Sequence, residues 1–119
     1  MLSFTPATQI FLVRGPTDMR KSFNGLMAIV KNDLKADILS GHLFVFSNRS
    51  RNRINIIFWD RSGLWVCAKR LEKGTFAWPE VSGDSIELTA AELALLLGGL
   101  DLKDTRKRKW YSPKGSSKS

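Results

Sequence analysis

The 119-residue chain has one cysteine and one histidine, Cys67 and His42, and neither lies in a recognisable motif. A single cysteine cannot form an intrachain disulfide, which favours a reducing compartment. The usual zinc-binding spacings are absent, and a Cys–His catalytic pair is disfavoured because the two residues lie far apart without motif context. Glycine-rich nucleotide-binding motifs and the G-x-S-x-G motif are also absent. The sequence therefore predicts a protein without a metal site, a cofactor or catalytic residues.

A metal-dependent nuclease is the enzyme alternative, because a basic protein with hairpins could hold a divalent ion against phosphate. Such a site needs two or three converging carboxylates. Asp60 is the only acid on the central hairpin, and its D-x-x-G setting already explains it as a turn residue. Converging carboxylates are not evident, so catalysis is not expected.

Long apolar runs are also missing. No segment approaches the roughly 18 consecutive apolar residues that a membrane-spanning helix needs. The first residues lack the basic region and apolar core of a signal peptide. We therefore expect a cytoplasmic protein with no membrane partner.

Acidic residues are scarce at one end of the chain, and positive charge is concentrated there. The net charge is +8, and residues 103–119 hold seven Lys or Arg against one Asp. Residues 1–102 are consequently close to neutral, at +2. These numbers predict one domain over residues 1–102 and a disordered basic tail over residues 103–119. Localised positive charge indicates a polyanionic partner, most simply nucleic acid.

Short apolar runs separated by turns predict β-strands in the middle of the chain. Successive runs closed by polar turns are typical of a hairpin meander. An apolar run at Gln9–Val13 and a shorter one at Ile86–Leu88 predict further strands. The meander strands are predicted at His42–Ser47, Arg53–Trp59 and Leu64–Leu71.

Two amphipathic segments predict helices that flank these strands. Apolar residues recur every three to four positions over Thr17–Asp33, with Thr17 and Asp18 as candidate N-caps. Thr89 and Glu92 form a T-x-x-E capping box before a leucine-rich helix that should end at Gly98. We therefore expect an α+β fold: a small antiparallel β-meander sheet of three to five strands, with two helices packed on one face.

The loop between the first two meander strands is the strongest candidate site. Arg49, Arg51 and Arg53 alternate with Asn and Ser, and alternate residues of an extended segment project to one side. Three such guanidinium groups would contact phosphates, and their Asn and Ser neighbours could add phosphate or base contacts. A solvated loop is the alternative, although three like charges in five residues repel one another when no anion is bound.

Two further basic clusters are candidates for contact with nucleic acid. Arg20 and Lys21 should lie in the first turn of the Thr17–Asp33 helix, where a phosphate could bind, although Asp18 could simply neutralise them. The tail has two aromatic residues beside its cations, which could stack on bases, and a solubilising role is equally compatible with this composition. The basic residues concerned in the tail are Arg106, Lys107, Arg108 and Lys109.

Several ordered motifs resemble those of one protein family. They are, in order, Thr17–Lys21 with Gly25-Leu26, Gly41–Phe46, Trp59-Asp60, and Lys69–Glu72 with Gly74, Phe76, Trp78 and Pro79. From about Ile10 to Leu100 the chain resembles TnpB, the second open reading frame product of the sixty-six family of bacterial insertion sequences. This accessory protein is distinct from the RNA-guided nuclease that shares its name. The resemblance implies a role in transposition beside a separate transposase that carries the catalytic residues.

The resemblance implies a non-catalytic transposition accessory protein that acts beside the transposase of the element, and the charge pattern predicts DNA as a second partner. The DNA would be the element ends or the target, bound through the hairpin tip and the basic tail. The alternative is a protein-binding adaptor that docks on the transposase and does not contact DNA.

Overall fold

The computed structural model describes residues 8–98. Five strands form one sheet in the order β4-β3-β2-β1-β5. No helix in this part of the chain is long and apolar enough to cross a membrane. The strands are β1 (Ile10–Pro16), β2 (Leu43–Ser47), β3 (Arg53–Trp59), β4 (Leu64–Arg70) and β5 (Ser85–Leu88). The helices are α1 (Phe23–Ala28), which continues into a π-helical turn (Ile29–Asp33), and α2 (Ala90–Leu97). A 3-10 turn at Ile38–Ser40 precedes β2.

The sheet is mixed, which corrects the expectation of a purely antiparallel one. Strands β2, β3 and β4 form the predicted antiparallel meander, and β5 is antiparallel to β1. However, β1 and β2 are parallel, because the segment that contains α1 crosses from the end of β1 to the start of β2. Their register is irregular between Leu12 and Pro16, where Gly15 has a φ of +73° that favours glycine. The α+β class and the number of strands are confirmed.

The two helices lie on opposite faces of the sheet, and the expectation of one shared face was wrong. On one face, Leu26 and Val30 from α1 and its π-helical turn pack with Phe44 and Phe46 of β2. The other face carries the α2 residues and the alternate residues of the same strands, among them Leu43 and Val45 with Leu93 and Leu96. Every residue of β2 is buried, and a strand that is apolar on both sides needs cover on both faces.

Helix α1 begins at Phe23, six residues later than the predicted start at Thr17. The backbone N–H of Thr17 donates to the carbonyl of Ser47, which continues the contact between β1 and β2. Asp18 then forms a turn: its carboxylate accepts the Arg20 N–H, and its carbonyl accepts the Lys21 N–H. Aspartate side chains compete with helical hydrogen bonds in this way, so good N-cap residues do not by themselves locate a helix start.

Helix α2 has the predicted N-terminus. Thr89 Oγ1 accepts the backbone N–H of Glu92 at 3.0 Å, and Glu92 Oε1 accepts the backbone N–H of Thr89 at 2.9 Å. The reciprocal capping box is therefore confirmed. The helix ends at Leu97, with Gly98 as its C-cap.

Candidate nucleic-acid interface

The tip of the β2–β3 hairpin is held by one asparagine. Asn48 Oδ1 accepts the backbone N–H groups of Asn52 and Arg53 at 3.0 and 3.1 Å, and its Nδ2 donates to Asn52 Oδ1 at 2.7 Å. The Asn48 carbonyl accepts the Arg51 N–H, and Arg51 adopts a left-handed φ of +60°. The loop is therefore a folded turn, whereas the sequence predicted an extended segment.

This turn separates the three arginines, which do not form a single row. Arg49 and Arg53 border an open concavity of about 400 Å³ on the α1 side of the sheet, which residues 16–19 also line. Among residues 8–98, neither of these two guanidinium groups forms an ion pair with a carboxylate. Two cations without acidic partners beside an open cleft are suited to binding an anion such as phosphate.

Arg51 lies elsewhere, against an aromatic ring. Its guanidinium carbon is 5.6 Å from the centroid of the Trp78 ring, and Trp78 packs against the core on the α2 side of the sheet. The Arg51 carbonyl also accepts the backbone N–H of Phe76 at 2.6 Å. A cation over an indole face is a stabilising contact. The sequence could not show this contact, because Trp78 lies 27 positions away.

Asp18 is the acidic residue that borders the concavity, and Arg20 neutralises its charge. The Arg20 Nη2 is 2.8 Å from Asp18 Oδ2, and the Arg20 Nε is 3.1 Å from both carboxylate oxygens. The Arg20 side chain, followed by its backbone N–H, lowers the pKa of Asp18 from 3.8 to about 2, and the ion pair raises the pKa of Arg20. The concavity consequently keeps a net positive charge at neutral pH.

A fourth arginine, which the sequence analysis did not select, lies on the same side. Arg70 of β4 is directly opposite Arg53 of β3, so both side chains share the α1 face. Like charges directly opposite in an antiparallel pair are destabilising, and a bound anion would relieve this repulsion. Arg70 also lies 3.6 Å from Glu72 through exposed side chains. The D-x-x-G turn at Asp60 fixes the register of the β3–β4 hairpin. The pairing of Arg53 with Arg70 could therefore have been found by counting residues outward from this turn.

The remaining predicted residues are dispersed. Helix α1 is short and starts after Arg20 and Lys21, so the predicted phosphate site in its first turn is not formed. Lys21 instead borders a second concavity of about 580 Å³, together with Arg14 and three aspartates. Among residues 8–98, no three His, Cys, Asp or Glu side chains are arranged to hold a metal ion. The tail residues Arg106, Lys107, Arg108 and Lys109 lie outside the described residues.

Comparison with known proteins identifies the family. The model of the IS66 Orf2-like proteins matches residues 8–107. The chain belongs to this family. Two relatives are uncharacterized proteins of Sinorhizobium fredii: y4hO is 38% identical over 85% of this chain and 88% of its own length, and y4jC is 36% identical over 85% and 86%. No solved structure matches significantly.

Membership in the IS66 Orf2-like family confirms the resemblance found in the sequence and makes this a transposition-associated accessory protein. Proteins of the IS66 Orf2-like family accompany insertion sequences and are not known as catalysts.

Proposed function

We propose that this protein binds double-stranded DNA during transposition through phosphate contacts from Arg49 and Arg53. The observation that carries the proposal is the pairing of these two arginines at one open concavity without a carboxylate partner among residues 8–98. Asp18 does not oppose an incoming phosphate strongly, because Arg20 holds its carboxylate. Arg70, opposite Arg53, extends the positive surface along the sheet.

The contact is electrostatic and therefore weakly selective for sequence. Phosphate contacts position a protein on DNA and carry no base information directly. Each phosphate that a cation neutralises adds about 0.9 to the magnitude of the log–log slope of affinity against salt. The tail residues Arg106, Lys107, Arg108 and Lys109 would strengthen binding through further phosphate contacts, with the hairpin tip fixing the orientation.

The test is a fluorescence-anisotropy titration of double-stranded DNA at several salt concentrations. The double variant Arg49→Ala/Arg53→Ala should bind at least about tenfold more weakly and lower the salt slope by about 1.8. Arg51→Ala is the control, because it removes one positive charge from the same loop but from the Trp78 side. Its salt slope should stay close to that of the wild type.

Three outcomes would contradict the proposal. Salt-insensitive binding would exclude a phosphate mechanism. A loss of salt slope in Arg51→Ala of about 0.9, half that of the double variant, would mean that only the total charge of the loop matters. If replacing the four basic tail residues with alanine removed all binding and the double variant removed none, the tail alone would hold the DNA.

A second candidate function is docking on the transposase without DNA contact. Exposed apolar side chains favour it: Leu39 is 60% exposed and Phe23 is 45% exposed. An adaptor of this kind would keep its affinity for the transposase in the Arg49→Ala/Arg53→Ala variant, and the wild type would not bind DNA in the titration. A pull-down of the transposase by wild-type and double-variant protein separates the two functions.

A further inference from the structure

The two edges of the sheet differ in length. Strand β4 forms one edge with seven residues, and it pairs with β3 at every position without a register shift. Strand β5 forms the other edge with four residues. A long and regular edge strand presents a row of unpaired backbone groups to which another strand can pair.

The hydrogen-bond pattern shows which β4 groups face outward. Leu71 donates its N–H to the Asn52 carbonyl, and Asp60 donates its N–H to the Gly63 carbonyl, so both are hydrogen-bonded pairs of the β3–β4 ladder. Such pairs alternate along an antiparallel ladder with pairs that are not hydrogen-bonded. The β4 residues whose N–H and C=O groups point away from β3 are therefore Leu64, Val66, Ala68 and Arg70.

Within residues 71–98, no strand pairs with this edge. Leu71 remains paired with Asn52, and Phe76 donates its N–H to Arg51 and is buried in the core on the α2 side. The chain thus turns back over β3.

Within β4 the side chains are apolar from Leu64 to Ala68, and Trp65 is 45% exposed. Charged side chains, which commonly protect an edge, occur only at its end.

We propose that β4 pairs antiparallel with β4 of a second copy of this chain, about a two-fold axis that passes through Cys67. In this register Val66 pairs with Ala68 of the second copy, and Leu64 pairs with Arg70 of the second copy. All four outward residues of each copy are then paired. Any other register leaves at least one outward residue of each copy without a partner, so the full overlap is favoured.

The charges along β4 favour this antiparallel arrangement. Lys69 and Arg70 lie at one end, and Trp65 lies near the other, where its Nε1 donates to Asp60 Oδ2 at 2.6 Å. Antiparallel pairing sets Lys69 of one copy opposite the Trp65–Asp60 pair of the other, on the α2 face. Lys69 Nζ already donates to the Leu97 carbonyl at 2.7 Å, which holds this cation on the same face. A parallel pair would instead oppose Lys69 and Arg70 to their own copies.

The first test is analytical ultracentrifugation of the full chain in reducing buffer without DNA, so its result is independent of the proposed DNA contact. A single strand pair buries less than the roughly 1,600 Å² of a standard stable interface, so we expect a dimer that forms at about micromolar concentration. Ala68→Pro removes an outward N–H but no β3–β4 hydrogen bond, so the fold should tolerate it. Because a strand cannot pair through proline, this variant should raise the dissociation constant of the dimer at least about tenfold.

Glu87→Pro is the matched control for this variant. By the same reasoning Glu87 of β5 points its N–H away from β1, because Arg14 donates to the Asp84 carbonyl in the same ladder. This substitution should leave the dimer intact. If circular dichroism shows that Ala68→Pro is unfolded, Ala68→Lys replaces it, since it keeps every backbone N–H and adds a third cation beside Lys69 and Arg70. Ala68→Lys should also give a monomer.

The second test is cross-linking of the wild type by diamide. Cys67 would face Cys67 of the second copy in a pair that is not hydrogen-bonded, with about 4.5 Å between the Cα atoms. This separation is within the range for a disulfide. The wild type should give a linked dimer on a non-reducing gel, whereas Cys67→Ser should give none and still dimerise in reducing buffer.

Four results would overturn the proposal. The first is a wild type that stays monomeric up to about millimolar concentration, and the second is a folded Ala68→Pro variant with unchanged dimerisation. The third is a dimer in which Cys67 does not cross-link. The fourth is a β4 edge that gains protection from hydrogen exchange only when the transposase is added. The last result would assign the edge to a different partner.

Discussion

The two sides of the hairpin tip use the same residue type for different purposes. On the α1 side, Arg49 and Arg53 border an open concavity and have no carboxylate partner among residues 8–98. On the other side, Arg51 covers the Trp78 ring and its carbonyl binds the Phe76 N–H. A run of alternating arginines therefore divides into one structural residue and two that are available to bind an anion. The folded turn at Asn48 produces the division.

Among the variants that test this comparison, the largest loss of stability is expected at Trp78. Replacing it with alanine should lower the free energy of unfolding by about 3 kcal/mol, because it removes a half-buried aromatic ring and the platform under Arg51. The salt slope of DNA binding should not change. Urea denaturation, followed by the DNA titration, measures both.

Two further variants test whether packing of the ring accounts for the loss of stability in Trp78→Ala. The more exposed Trp65 on the same face should lose less stability when it is changed to alanine, about 1 kcal/mol. Trp78→Phe should be close to neutral, since the buried Nε1 of Trp78 has no hydrogen-bond partner among residues 8–98. A large loss in Trp78→Phe would contradict the view that ring packing is the main contribution of this residue.

A smaller effect is expected at Asn48, the residue that separates the two sides. Asn48→Ala leaves the backbone N–H groups of Asn52 and Arg53 without their acceptor, and it should lower the free energy of unfolding by about 2 kcal/mol. It should also weaken DNA binding, because Arg49 and Arg53 would no longer be held at one concavity. Asn48→Asp keeps an acceptor for both groups and should lose less stability. Equal losses in the two variants would show that these hydrogen bonds are not what holds the turn.

The smallest effect is expected at Asp18, beside the concavity. Its pKa is lowered from 3.8 to about 2, mainly by the Arg20 side chain. A lowered carboxyl pKa stabilises the folded state above pH 4, and this contribution is lost as the pH falls through about 2. The stability difference between wild type and Asp18→Asn should therefore be present at pH 5 and absent near pH 2. Asp18→Asn should also bind DNA slightly more tightly at pH 7, because it removes a negative charge and releases Arg20.

Carboxyl chemical shifts from NMR measure the Asp18 pKa directly. A midpoint near 3.8 would mean that the Arg20 pair does not persist in solution, and the concavity would then contain a negative charge that is not neutralised. The DNA titration of Asp18→Asn would in that case show a larger gain in affinity than expected.

Local patterns predicted those parts of the fold that depend on near neighbours. Strand β3 has the predicted bounds of Arg53–Trp59, and the capping box of Thr89 and Glu92 is formed as expected. Both depend on residues within a few positions of one another. The start of α1 was wrong because Asp18 uses its side chain for a turn with Arg20, and a continuous apolar periodicity over Thr17–Asp33 does not reveal that competition.

The candidate site was predicted in composition but not in arrangement. The sequence identified the loop and its arginines, whereas the assignment of Arg51 to Trp78 and of Arg70 to the side of Arg53 needed strand register and the path of the chain after β4. The role of all these residues in DNA binding stays a prediction until the titration is made.

The sequence by itself determined the α+β class, the central meander, the capped second helix and the confinement of most of the excess charge to residues 103–119. Only the tertiary structure decided that β1 runs parallel to β2, that the helices cover opposite faces and that the three loop arginines separate. The physical reason is the range of the interactions. Turns and caps are fixed by hydrogen bonds between residues close in the chain, whereas faces and edges are set by packing between distant segments.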